Sequence, residues 1–422
     1  MLDRTQAPKF HLPEDFTLND PEKWITPAGV PVFYFHTPLL QAVKIEVVSK
    51  SARKYLPLAK NLVPSLVLQL LTEGTRSLSE NQLSEFFDFH ASEVQPSSGF
   101  SREGISLLTT KKHLNTVLPV FLSLFTEADF PEDKLEKKKS LRKLGLKLEK
   151  EKTASRASQL FRTSLFGPNH PYGLEITEDH IDEVSRQDLL DYRDQLLWNE
   201  AEIFISGDFS QPELQELTER LALIPFVRLP ETAWSADVQQ TLSVAEERPQ
   251  AFQTSIRMGA WSIPKTHPDY FALSVFNTVL GGYFGSRLIK NIREDKGHTY
   301  GISSSLGEID DYPYWTIAAD VQKQYRQEVL DEIRKEIQLL SSEKMGSDEL
   351  ELVRNYLIGQ MVGRFSTSFD WVDRFKGVHF SGLDFSFYRR KMEFLREFDA
   401  NEILEKGSKY FTEGPIIEIT VG

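Results

Sequence analysis

Arg293 and Tyr300 stand seven residues apart in the stretch Leu280-Gly-Gly-Tyr-Phe-Gly-Ser-Arg-Leu-Ile-Lys-Asn-Ile-Arg293-Glu-Asp-Lys-Gly-His-Thr-Tyr300. A guanidinium holds N–H donors in a rigid planar fork, a good match to carbonyl and carboxylate oxygens. A phenol hydroxyl donates a hydrogen bond that strengthens as negative charge builds on its acceptor. The plainer alternative is Arg293 paired with Glu294 or Asp295 on the surface and Tyr300 half-buried in a strand. Other chemistries find little support. With no cysteine in the chain, a thiolate nucleophile, a thiolate metal site and a disulfide are all excluded. The nine histidines, 11, 36, 90, 113, 170, 180, 267, 298 and 379, include no i,i+4 pair that could grip a metal from one helix. Phe284-Gly-Ser286-Arg lacks the second glycine of a Gly-x-Ser-x-Gly elbow, so a serine nucleophile is unsupported.

These residues need elements to hold them. A helix over Tyr270–Leu280 stops at Gly281-Gly282, and an aromatic loop follows with Tyr283 and Phe284. A short helix over Ser286–Arg293 then puts Arg293 at its end, and the Gly297 break puts Tyr300 at the start of a strand. The second half continues with strands Tyr300–Leu306 and Trp315–Ala319, long helices Tyr325–Leu340 and Asp348–Val362, and a closing strand Ile416–Val421; Phe252–Gly259 is its opening strand. The first half follows the same order. Strands at Val30–Tyr34 and Val43–Val47 lead to a helix over Leu58–Leu71 that ends at Glu73-Gly74-Thr75. Ser79-Glu-Asn-Gln82 reads as a capping box opening a helix through Phe89. A strand at Gly104–Thr109, helices at Leu114–Thr126, Pro131–Leu165 and Ser185–Leu196, and a strand at Glu202–Ile205 complete the half. The expected class is α+β, with two similar domains, 1–226 and 241–422, each a mostly antiparallel sheet packed by helices, joined by a linker over 227–240.

A chain of 422 residues is too long for one ordinary core, and its 40% hydrophobic and 26% charged residues suit a globular protein. The net charge of −13 speaks against a nucleic-acid partner. No apolar run approaches the ~20 residues of a membrane span, and Met1–Lys9 has no secretory h-region. The expected location is the cytoplasm; a periplasm reached with a signal outside this sequence remains compatible. Residues 134–152 carry nine Lys/Arg against three Glu; with Leu135, Leu141, Leu144 and Leu148 on one side, they read as a solvated helix with a buried apolar stripe rather than a docking face.

The glycine loop, Ser286-Arg287-Leu288 and Arg293-x6-Tyr300, in the second half of a duplicated plan, resemble the signature of the pitrilysin/insulinase family of zinc peptidases. Asn169-His-Pro-Tyr-Gly173, the helix after it and the strand ending at Gly207-Asp208-Phe209 extend the resemblance across nearly the whole chain. It implies that Arg293 holds a substrate backbone, that Tyr300 donates to the tetrahedral oxyanion, and that Gly281, Gly282, Tyr283 and Phe284 face the substrate. Active relatives carry His-x-x-Glu-His just before the Gly-Thr of the first-half helix. Here those positions read Ser65-Leu66-Val67-Leu68-Gln69, so Ser65, Leu68 and Gln69 replace both histidines and the general base. The third ligand would fall within 138–148, which is rich in Lys and Leu; Glu149 and Glu151 have no histidines to complete. No metal is expected in this chain. The resemblance implies a non-catalytic, substrate-binding subunit of a two-chain peptidase, forming a heterodimer with a homologous subunit that carries the zinc and acting on peptides. The alternatives are a scaffold subunit of a larger complex, as respiratory-complex core proteins resemble, and a stand-alone peptide-binding protein without hydrolysis.

Overall fold

The computed structural model describes residues 18–232 and 243–422. Residues 233–240 of the expected linker lie outside the described residues, as does Met1–Lys9. The first sheet is built from β1 (Glu22–Ile25), β2 (Pro31–His36), β3 (Ala42–Lys50), β4 (Glu93–Ser98), β5 (Arg102–Thr110) and β6 (Glu202–Gly207) in the order β1-β2-β6-β3-β5-β4. The second is built from β7 (Ser243–Glu246), β8 (Gln253–Trp261), β9 (Thr299–Ile309), β10 (Tyr312–Gln322) and β11 (Ile417–Val421) in the order β7-β11-β8-β10-β9. Each sheet has one parallel pair, β2/β6 and β7/β11, and is otherwise antiparallel. The fold is α+β with two mostly antiparallel sheets, as the order of elements predicts.

The strands the sequence leaves unmarked are polar edge strands. β4 (Glu-Val-Gln-Pro-Ser-Ser) shows almost no buried residue, and its Pro96 is tolerated because the strand has only one neighbour. A central strand covered on both faces reads as an apolar run: the consecutive Ile203, Phe204 and Ile205 of β6 are fully buried. On one face of the first sheet lie α1 (Val63–Leu70), α2 (Glu80–Phe89, opened by the Ser79/Gln82 capping box) and α3 (Lys111–Thr126).

The helix expected over Pro131–Leu165 is two helices, α4 (Glu132–Glu151) and α5 (Thr153–Phe166), divided at Lys152, whose ψ of 116° is extended. No proline or glycine marks this break. Its cause is tertiary: α5 leaves its own half and packs on β8 and β11 of the other sheet. Ala157, Phe161, Leu165 and Phe166 share a buried cluster with Ile417, Ile419 and Val421. The approach is close enough that a Cβ on Gly259 would stand 2.7 Å from the Phe161 ring. The second half returns the exchange. The helix Ser368–His379 lays Val372 and Phe375 against Phe33 and Phe35 of β2 and Phe204 of β6. Lys376 of the same helix pairs with Glu46 on β3, and His379 Nε2 lies 2.9 Å from Glu202 on β6. Each sheet is thus covered on its second face by a helix from the other half.

One reading of α4 is corrected. Leu135 is fully buried, but Leu141, Leu144 and Leu148 are about half exposed. The helix buries instead the line of Leu135, Lys139 and Leu146, so the apolar stripe faces outward.

Candidate functional site

The loop that carries Phe284 is fixed from beneath. Gly281 packs so tightly on β9 that a Cβ there would meet the Ser304 backbone nitrogen at 2.6 Å. The helix Tyr270–Asn277 ends not in a plain cap but in a wider π-helical turn, Thr278–Gly282. Gly282 is exposed, whereas Tyr283 is half-buried with its ring 4.8 Å from that of Tyr356. Tyr283 therefore anchors the loop to the helix Ser347–Gly363. Phe284 turns the other way and is 64% exposed.

The expected short helix before Arg293 is π-helical over Ile289–Asp295. Asn291 of this turn donates to Glu332 at 2.8 Å and Glu336 at 2.7 Å, and Lys296 pairs with Glu332 at 2.7 Å. Lys296, with Asn291 behind it, holds the Glu332 carboxyl down to about 2. His298 stacks on Tyr325 with ring centres 3.9 Å apart, and Gly297 takes the positive φ of 66° that reverses the chain into β9. These contacts fix the backbone on both sides of the seven-residue interval.

Among the described residues the two side chains at the ends of that interval have no polar partners. Among the described residues, Arg293 makes no ion pair with Glu294, Asp295 or any other carboxylate; its guanidinium lies 5.0 Å from the Phe284 ring centre. Tyr300 is 90% exposed, and its hydroxyl has no hydrogen-bond partner among the described residues. Phe284 and Arg293 are thus brought together. Tyr300 lines an open depression of about 1050 Å³ with Phe252, Gln322 and the α4–α5 corner at Glu151–Thr153.

The first-half helix offers zinc no suitable set of donors at the expected positions. Ser65 and Gln69 hydrogen-bond to each other at 3.2 Å on α1, and Leu68 is 1% exposed in the core. A hydroxyl, an amide and a buried isobutyl group do not make a zinc site. Glu149 pairs with Arg142 at 2.7 Å, and Glu151 borders the Tyr300 depression. His90 and His113, far apart in sequence, come together with ring centres 5.5 Å apart, but no third ligand joins them among the described residues. Leu68→Glu would bury a carboxylate among apolar side chains. It is expected to destabilise the chain by at least about 2 kcal/mol, read as a lowered urea midpoint. An unchanged midpoint would mean that α1 is far looser than its burial indicates.

What sequence reasoning missed is a basic cavity of about 790 Å³ beside Ser65 and Gln69, lined also by Arg53, Phe100, Arg162 and Arg257. Arg257 belongs to β8, so the cavity exists only because α5 crosses to the second sheet. Its arginines are scattered through the sequence and form no local pattern.

Comparison with known proteins bears on the fold and the kinship of the chain. The family model described as "Peptidase M16 inactive domain" matches residues 183–357. A "Non-peptidase homolog YmxG" of Helicobacter pylori is 23% identical over 393 residues, covering 90% of this chain and 88% of the relative. An "Uncharacterized zinc protease YmxG" of Bacillus subtilis is 21% identical over 337 residues, covering 79% and 82%. The crystal structure of a peptidase M16 inactive domain from Pseudomonas fluorescens superposes with a TM-score of 0.84 at 19% identity, covering 95% of this chain and 98% of that one. Among the described residues no helix is long and apolar enough to cross a membrane. Over most of its length the chain is thus similar to M16 peptidases and their non-peptidase homologues, and residues 183–357 match the inactive domain of that family.

Proposed function

We propose that this chain is the substrate-handling subunit of a two-chain peptidase, working with a homologous subunit that carries His-x-x-Glu-His and the zinc. The observation that carries this reading is the pairing of an absent donor set on α1 with two exposed, unpaired functional groups, Arg293 and Tyr300, on a rigidly held turn. Among the described residues neither side chain makes a polar contact, so the contacts described there do not account for a guanidinium and a phenol at these positions. In the assembled enzyme Arg293 donates to substrate carbonyls, and Phe284 covers apolar side chains from the exposed loop. Tyr300 donates to the oxygen that becomes anionic in the tetrahedral intermediate.

The test is to purify the tagged chain from its own cells and identify stoichiometric partners by native mass spectrometry. Zinc content and peptide cleavage are then measured for each chain and for the pair. The expected result is a homologous partner bearing the motif and one zinc, with cleavage only when both chains are present. Recovery in a large assembly that neither binds nor cleaves peptide would replace this reading with a scaffold role. Peptide binding by the chain alone, with no partner recovered, would make it a stand-alone receptor.

A further inference from the structure

The chain as a whole is acidic, with a net charge of −13, yet the cavity beside α1 is basic. Six cationic side chains line it against two carboxylates, Glu149 and Glu175. Those two are already engaged: Glu149 with Arg142 at 2.7 Å, and Glu175 with Arg156 at 2.7 Å and Lys150 at 3.5 Å. The remaining arginines are poorly neutralised. Arg53 donates only to the backbone and side-chain oxygens of Asn61, and Arg162 only to Gln159. Neither has a carboxylate within ion-pair distance among the described residues, and the Nε of each is buried with no partner. Arg257 donates to Ser158 Oγ at 3.1 Å and to the carbonyls of Ile256 and Ala154, and the carboxylate it reaches is that of Asp320, at 3.9 Å.

The aromatic ring between two of them fits the same purpose. Phe100 lies 5.3 Å from the Arg53 guanidinium and 5.4 Å from that of Arg162. A guanidinium set against an aromatic face keeps its in-plane N–H edge available for an oxygen pair. Burial pulls the pKa of Arg53, Arg162 and Arg257 below the ordinary value, but a guanidinium stays protonated. Charge held this way in a recess is unfavourable until an anion offsets it.

We infer that this cavity, beside the helix where relatives hold zinc, is a receptor for carboxylate side chains, so that the peptides handled by this chain are acidic. The inference rests on the peptide-handling role proposed above. Arg53, Arg162 and Arg257 take the carboxylate oxygens, and the Ser65 hydroxyl and Gln69 amide beside them are neutral donors that do not repel it.

The test uses the full chain and a fluorescent decapeptide with three central glutamates, beside the same peptide with glutamines. The expected result is at least tenfold tighter binding of the glutamate peptide. In Arg162→Gln the two peptides should come within about twofold of each other, and Arg162→Lys should recover part of the difference. Circular dichroism and melting of both variants establish that they are folded; if neither folds, Arg257→Gln is used in the same comparison. Equal affinity of the two peptides for the unmodified chain, or a preference that persists in the glutamine variant, overturns the carboxylate site while leaving peptide handling intact. If neither peptide binds, thermal stabilisation by succinate decides. A shift lost in Arg162→Gln supports the site and counts against peptide handling, whereas no shift, or a shift with inorganic phosphate alone, overturns the site.

Discussion

Phe375→Ala is expected to destabilise the folded chain by about 3–5 kcal/mol, the usual range for removing a fully packed ring. Phe375 is 4% exposed on the helix Ser368–His379. Its ring centre lies 5.3 Å from Phe33, 5.5 Å from Phe35 and 5.3 Å from Phe385, and it stacks on His379 at 5.0 Å. Few of these partners can move into the space, because Phe33 and Phe204 are themselves stacked on adjacent strands at 5.2 Å. The helix belongs to the second half and the strands to the first, so the lost contacts are those that join the halves. Urea unfolding followed by tryptophan fluorescence should show a much lower midpoint, with the two halves separating into distinct transitions. Phe252→Ala is the control: its ring is 94% exposed, so its effect should stay within about 0.5 kcal/mol. A loss below about 1 kcal/mol for Phe375→Ala would mean that the exchanged helix is not integral to the fold.

That exchange marks the limit of what the sequence discloses. Period and punctuation locate most central strands and long helices, because buried faces force apolar residues onto them and glycines must stand where the chain reverses. Gly281 and Gly297 are legible for that reason: one is crowded by Ser304, and the other takes a positive φ. The break at Lys152 is illegible because nothing local requires it. Lys152 adopts an extended ψ that any residue tolerates, and the helix is divided by the second sheet's demand for cover. The stripe Leu141, Leu144 and Leu148 misleads for the complementary reason: helical spacing reports that a face is apolar, not that the chain itself covers it. The Arg–Tyr interval could be found because family resemblance preserves local spacing. The basic cavity could not, because Arg53, Arg162 and Arg257 come from a short 3₁₀ turn, a helix and a strand that meet only after the halves exchange.

Tyr300→Phe should separate function from stability more sharply than any other single change. The hydroxyl has no partner among the described residues and the side chain is 90% exposed, so melting should shift little, within about 0.5 kcal/mol of stability. In the assembled enzyme the same atom is proposed to donate to an oxygen that becomes negative only in the transition state. Removing one such donor costs about 3 kcal/mol, or roughly a hundredfold in kcat, with little change in KM. Arg293→Ala should behave differently. A guanidinium that holds ground-state carbonyls contributes to binding throughout the reaction, so its loss raises KM at least as much as it lowers kcat. Phe284 also loses the cation above its ring, an exposed contact of about 0.5–1 kcal/mol. Steady-state kinetics of the reconstituted pair, with assembly checked by native mass spectrometry, distinguishes the two patterns. If both variants assemble and cleave at the unmodified rate, Arg293 and Tyr300 do not handle substrate. If Tyr300→Phe instead melts several degrees lower with unchanged turnover, its hydroxyl serves the fold or the subunit contact. A hundredfold fall in kcat with melting unchanged would place the oxyanion donor on the chain that carries no zinc, and the division of labour between the two subunits would then follow from a single oxygen atom.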